Sequence, residues 1–258
     1  MGIRGRPREQ NGPMVPTGSV ALVTGAARRL GRAVALRLAR GGCWVAVHYR
    51  GSRRDAEATV RAILEEGGEA RAFPADLTRR GAPARLVAAV ERGLGPVAVL
   101  VNSAAVFRAA SVRSGSDGGL EEHLALNLRA PWLLSREAAR GMAVLGRGKI
   151  VNLGDIHGER PLGGHAAYSV SKAALHAMTR ALARELAPEV QVNCVAPGAI
   201  LLPRGAPASR RRRLVRSIPA GRLGTPEEVA EAVAFLVEGP DFVTGEILRV
   251  DGGRHLRG

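Results

Sequence analysis

The chain has 258 residues, 46% of them hydrophobic, enough for one large α/β domain with a full core. Its formal charge is +15 and all but two of its 38 basic residues are arginine, but these are spread through the chain and aromatic residues make up only 3%, which argues against a nucleic-acid surface. No apolar run approaches the roughly 20 residues of a membrane span, and two cysteines, Cys43 and Cys194, set in apolar strand-like runs suit a reducing, cytoplasmic setting.

In chain order, residues 1–16 (MGIRGRPREQNGPMVP) are polar, basic and rich in Gly and Pro, so a disordered tail is expected before a single domain over 17–258. Strand-like runs then fall at 20–25, 43–49, 69–76, 97–102, 149–155, 190–196 and 246–252. Helical periodicity covers 29–40, 53–66, 83–92, 120–144, 165–186 and 226–237. Repeated strand-then-helix order predicts an α/β fold: one doubly wound, Rossmann-type domain whose seven-stranded parallel sheet has helices on both faces. Thr225, Pro226, Glu227 and Glu228 form a helix start, with a capping hydroxyl, proline in the first turn and acids at the positive end of the dipole. The longest irregular stretches, 103–119 and 197–224, each follow a strand's carboxyl end, where open α/β sheets bind ligands. The one dense basic run is RRRR at 210–213.

Two groups of residues carry chemistry. In VALVTGAARRLG, Gly25 closes the first strand and Gly31 opens the next helix, a turn that lets backbone approach a phosphate at a helix amino end. The second strand ends in HYRGSRR, with no acid where an NAD ribose requires one; His48, Arg50, Ser52 and Arg53 suit a 2′-phosphate instead, so the expected dinucleotide is NADP. Further on, Tyr168 and Lys172 stand one helical turn apart, and Asp155 precedes the tyrosine by thirteen residues. A phenol ionises at about pH 10, and an ammonium one turn away favours phenolate. No Cys/His cluster has metal spacing.

TGAARRLG, Asp76–Leu77, NSAA at 102–105, Tyr168-xxx-Lys172 and APG at 196–198 resemble, in order and spacing, the short-chain dehydrogenase/reductase family. Two positions depart from its pattern: Arg29 replaces the middle glycine of TGxxxGxG, and Ser103 the second asparagine of NNAG. Within that family the chain looks most like the bacterial pteridine reductases, through Arg29, His48–Tyr49–Arg50, Phe107 and an aspartate, Asp155, where most relatives carry serine. The resemblance implies a cofactor site made by Gly25, Arg29, Leu30, His48, Tyr49, Arg50, Ser52, Asp76, Leu77, Asn102, Ala104, Tyr168, Lys172, Pro197 and Gly198. It implies Asp155, Tyr168, Lys172 and Asn127 as catalytic residues, with Arg29, Phe107, Asp155 and Tyr168 meeting the substrate and Phe107 stacking on a pterin ring.

The expected activity is NADPH-dependent reduction of a dihydropterin or dihydrofolate to the tetrahydro form. A carboxylate beside a developing alkoxide is repulsive, whereas beside a C=N bond that gains a proton it is favourable. The alternatives are an NADP-dependent carbonyl reductase of the same family acting on a 3-oxoacyl thioester or a sugar, an NADP-binding sensor, or a basic nucleic-acid binder. The resemblance also implies a homotetramer built on the long helices.

Overall fold

The computed structural model describes residues 15, 17–109, 112, 118–202, 205 and 207–257. Apart from residue 15, the expected tail over 1–16 lies outside them. The strands are β1 (Val20–Val23), β2 (Trp44–Tyr49), β3 (Glu69–Pro74), β4 (Val97–Asn102), β5 (Gly148–Leu153), β6 (Val190–Pro197) and β7 (Ile247–Val250). They form one parallel sheet in the order β3-β2-β1-β4-β5-β6-β7. β1, β4, β5 and β6 are buried at every residue, as their near-continuous apolar sequences require of a sheet covered on both faces.

The helices are α1 (Arg29–Arg40), α2 (Arg53–Glu65), α3 (Ala82–Leu94), α4 (Gly118–Leu124), α5 (Ala130–Leu145), α6 (Ala166–Leu186), α7 (Ala208–Arg216) and α8 (Pro226–Glu238). One core face joins α1, α2 and α8 through Val34, Leu38, Ile63, Val233 and Val237. The other joins α3, α5 and α6 through Leu86, Leu134, Met142 and Leu175. This is the expected Rossmann-type architecture. Among the described residues no helix is long and apolar enough to cross a membrane.

The predicted helix start is present: Thr225 Oγ1 accepts from Glu228 N at 3.2 Å, and Glu228 Oε2 accepts from Thr225 N at 2.8 Å. Two elements differ from expectation. The single helix read over 120–144 is two helices joined by a π-turn over Ala125–Arg129. Pro131 explains the break, because it has no N–H for the carbonyl four residues back, that of Asn127. The stretch 197–224, read as irregular, contains α7.

Candidate active site

The topological switch lies between β1 and β4, and the chain leaves β1 through the glycine turn. Gly25 has φ +67°, and a Cβ there would stand 3.0 Å from Ala104 Cα. A Cβ on Gly31 would stand 2.4 Å from the Gly25 carbonyl oxygen, so both positions require bare backbone. Arg29 also lies at positive φ, 55°, a conformation that costs a non-glycine residue about 1–2 kcal/mol. Among the described residues no side chain caps α1, so its first-turn N–H groups are available to an anion.

Basic side chains rim this turn. Arg28, absent from the expected set, bonds the Ser52 hydroxyl and pairs with Asp55 at 3.3 Å. Arg29, Arg50 and Arg53 are exposed, and Arg53 also pairs with Glu57 at 2.7 Å. Tyr49 and Leu30 are half-buried. His48 does not face a 2′-phosphate as expected. Its ring is buried beneath the turn, where Nδ1 accepts from Gly25 N at 3.1 Å and Nε2 lies 3.1 Å from the Ala75 carbonyl. Burial lowers its pKa to about 4, so it is a neutral strut that holds the glycine turn against β2 and β3.

Asn102 is likewise occupied: it is buried and its amide donates to Asn152 Oδ1 at 2.9 Å, tying β4 to β5, while its own Oδ1 is buried without a partner among the described residues. Thr24, also absent from the expected set, accepts from Ser103 N at 2.9 Å and Ala104 N at 3.0 Å and so shapes the turn after β4. Asp76 closes its own turn by accepting from Thr78 N and Oγ1, and Leu77 is buried. At the end of β6, Pro197 is buried and Gly198 packs so closely that a Cβ would stand 2.6 Å from Asp251 Cβ. Bare backbone at the switch point, an uncapped helix start and a guanidinium rim together fit a phosphate-bearing dinucleotide.

Beside this cleft the structure brings Asp155, Tyr168 and Lys172 together. Asp155 follows β5; its Oδ1 accepts from His157 N at 2.8 Å and its Oδ2 accepts from Tyr168 Oη at 2.7 Å. Tyr168 and Lys172 lie on the buried side of α6, with Lys172 Nζ 5.8 Å from the Tyr168 ring centre. Lys172 donates to the Leu153 carbonyl at 2.6 Å, fixing α6 to the end of β5. Burial, then the charge and hydrogen bond of Asp155, raise the Tyr168 pKa well above that of a free phenol. Burial lowers the Lys172 pKa, against the pull of Asp155. The sequence reading, in which the lysine favours phenolate, is thus opposed: burial first, and then the carboxylate, favour the protonated phenol.

Asn127 sits in the π-turn and spans the site. It accepts from Val106 N at 2.8 Å and donates to Val106 O and Ser171 Oγ, each at 3.0 Å. Phe107 is half-exposed at the entrance, stacked on His165 at 4.6 Å and edge-on to Tyr168 at 4.7 Å. Sequence reasoning passed over His123, fully buried and edge-on to Tyr168 at 6.0 Å. It also passed over Arg160, whose Nη1 donates to the carbonyls of Arg254 (3.2 Å), His255 (2.9 Å) and Arg257. Only the short DIHGER spacing linked Arg160 to Asp155.

A family profile described as enoyl-(acyl carrier protein) reductase matches residues 25–255. The chain is similar to the 3-oxoacyl-[acyl-carrier-protein] reductase FabG of Pseudomonas aeruginosa, 35% identical over 93% of this chain and 98% of that protein. It is 38% identical to a putative ketoacyl reductase 2 of granaticin polyketide synthase from Streptomyces violaceoruber, over 93% of this chain and 98% of the other. Among solved structures, a gluconate 5-dehydrogenase from Burkholderia cenocepacia J2315 in complex with NADP and tartrate superposes with a TM-score of 0.89 at 27% identity, covering 95% of this chain and 98% of the other.

Proposed function

The chain belongs to the short-chain dehydrogenase/reductase family, and from that premise we propose that it is an NADP(H)-dependent reductase in which Tyr168 delivers the proton. The observation that carries this reading is the convergence of Asp155, Tyr168 and Lys172 beside a glycine turn rimmed with arginine. The turn and the start of α1 would hold the pyrophosphate, with Arg28, Arg50, Ser52 and Arg53 at the 2′-phosphate. Asp76, Leu77, the backbone of Asn102 to Ala104, Pro197 and Gly198 would line the remainder of the cleft, and Lys172 the ribose. When bound, the reduced nicotinamide supplies a hydride. Tyr168, kept neutral by burial and by Asp155, retains its proton until the reduced substrate becomes basic enough to take it. Asn127 holds the loop after β4, at Val106, and the helix residue Ser171 in register around that phenol.

Two substrate classes have separate support. The names of the relatives favour a carbonyl, as in a 3-oxoacyl thioester, over the pteridine expected from the sequence. The contact between Asp155 and Tyr168 favours the pteridine as a second reading. An ionised carboxylate about 4 Å from a developing alkoxide opposes it by about 4 kcal/mol at an effective dielectric near 20, roughly a thousandfold in rate. The same carboxylate stabilises a ring nitrogen that gains a proton during reduction of C=N. NADPH oxidation measured with acetoacetyl-CoA and with a dihydropterin separates the two. Turnover of the thioester alone retires the pteridine reading, turnover of the dihydropterin alone retires the carbonyl reading, and turnover with neither overturns both. Self-association, implied by the family resemblance, is supported by an apolar groove of about 480 Å³ between the α4–α5 region and α6, lined by Leu124, Leu128, Trp132, Ala177 and Met178.

A further inference from the structure

Helix α7 carries five arginines in nine residues and no acid. Arg210, Arg211, Arg212, Arg213 and Arg216 are all exposed, and none pairs with a carboxylate among the described residues. Elsewhere arginines do find partners: Arg37 meets Glu231 and Glu238, Arg40 meets Glu66, Arg222 meets Glu228 and Arg249 meets Glu159. The arrangement on α7 is unfavourable by itself. Arg210 repels Arg213, Arg212 and Arg213 repel Arg216, and the first cations stand at the positive end of the helix dipole. The helix buries no residue, so packing does not offset that repulsion. The dipole favours only Arg213 and Arg216, in the last turn, and a local rule broken with that little compensation directs attention to an external partner.

The position of α7 narrows what that partner is. It follows β6 on the carboxyl edge of the sheet, the edge that holds Asp155 and Tyr168. Arg257 Nη1 donates to the Arg216 carbonyl at 2.5 Å, and the segment Arg254–Arg257 is gripped on its other side by Arg160, five residues beyond Asp155. One short segment therefore links the carboxyl end of the arginine helix, at Arg216, to the loop that bears Asp155. The helix carries no aromatic residue for base stacking, and guanidinium groups pair in bidentate fashion with carboxylate or phosphate.

We propose that α7 is an anion subsite for a carboxylate- or phosphate-bearing tail of the substrate, remote from the bond that is reduced. The proposal rests on the reading of the chain as a reductase, and both substrate classes offer such a tail: the phosphates of a coenzyme A thioester, or the glutamyl carboxylates of a folate. The test replaces Arg210, Arg211, Arg212 and Arg213 together with glutamine in the full chain. Two substrate pairs are compared, acetoacetyl-CoA with ethyl acetoacetate and dihydrofolate with dihydrobiopterin. For the pair that the parent protein reduces, the KM of the anionic member rises at least tenfold while its kcat and the KM of the neutral member stay within twofold. The pair that responds identifies phosphate or carboxylate as the source. Equal changes for both members, or none for either, overturn the subsite. If the parent reduces neither pair, the proposed function fails separately, and binding of inorganic tripolyphosphate to the NADPH-saturated protein decides the subsite. Affinity at least tenfold weaker in the variant supports it, and equal affinity overturns it.

Discussion

Asp155 and Tyr168 form a donor–acceptor pair whose consequence can be read without a substrate. Burial and then the carboxylate raise the phenol's pKa, so Asp155→Asn, which removes the second cause, is expected to lower it. With only two tyrosines in the chain, a Tyr49→Phe background leaves Tyr168 as the one phenol, and the absorbance of tyrosinate during a pH titration gives the answer directly. An unchanged midpoint would mean that the carboxylate is not felt at the ring. Tyr168→Phe keeps the buried ring but removes the proton, so turnover is expected to fall by about 10²–10⁴ while NADPH affinity, measured by fluorescence titration, stays within about twofold. At this scale the sequence was informative about residue type and less so about direction. Arg50 and Ser52 follow β2 near the glycine turn, but His48, two positions before Arg50, points under that turn, because β2 is covered on both faces and so lacks the alternation that shows which way a side chain points.

The π-turn is the element that seats Asn127 between Val106 and Ser171. Asn127→Ala leaves these polar groups without their partner, which costs about 1–3 kcal/mol for a buried group. A melting temperature lower by several degrees, together with reduced kcat, is the expected outcome by thermal scan and steady-state kinetics. Loss of kcat with an unchanged melting temperature would place Asn127 in the chemistry alone. All seven strands were legible, because β-branched runs bounded by turn residues leave little choice of element. The π-turn left only Pro131 as a clue, and α7 left none, since a helix that buries nothing has no apolar period to detect.

Across the whole molecule, buried histidines set an acid limit on stability. His48 and His176 are both held neutral by burial, with pKa values lowered from 6.5 to about 4. Between those values the unfolded chain binds protons that the folded chain refuses, so stability is fully present above pH 6.5 and is lost as pH falls towards 4, by about 3 kcal/mol at most for His48. Urea midpoints measured across that window should fall with pH, and His48→Asn, which retains an acceptor for the Gly25 N–H, should flatten the slope. The same burial governs the chain's two lysines. Lys149, paired with Asp241, and Lys172 are only 3% and 4% exposed, whereas arginines occupy the surface. A protease that cuts after lysine, or a reagent that acylates amines, therefore reaches these side chains only when the folded body opens. Its rate reports the opening equilibrium and not the accessibility of a surface loop. A ligand that binds only the closed body slows such cutting in proportion to its occupancy, which makes lysine cleavage a label-free gauge of what the cleft accepts.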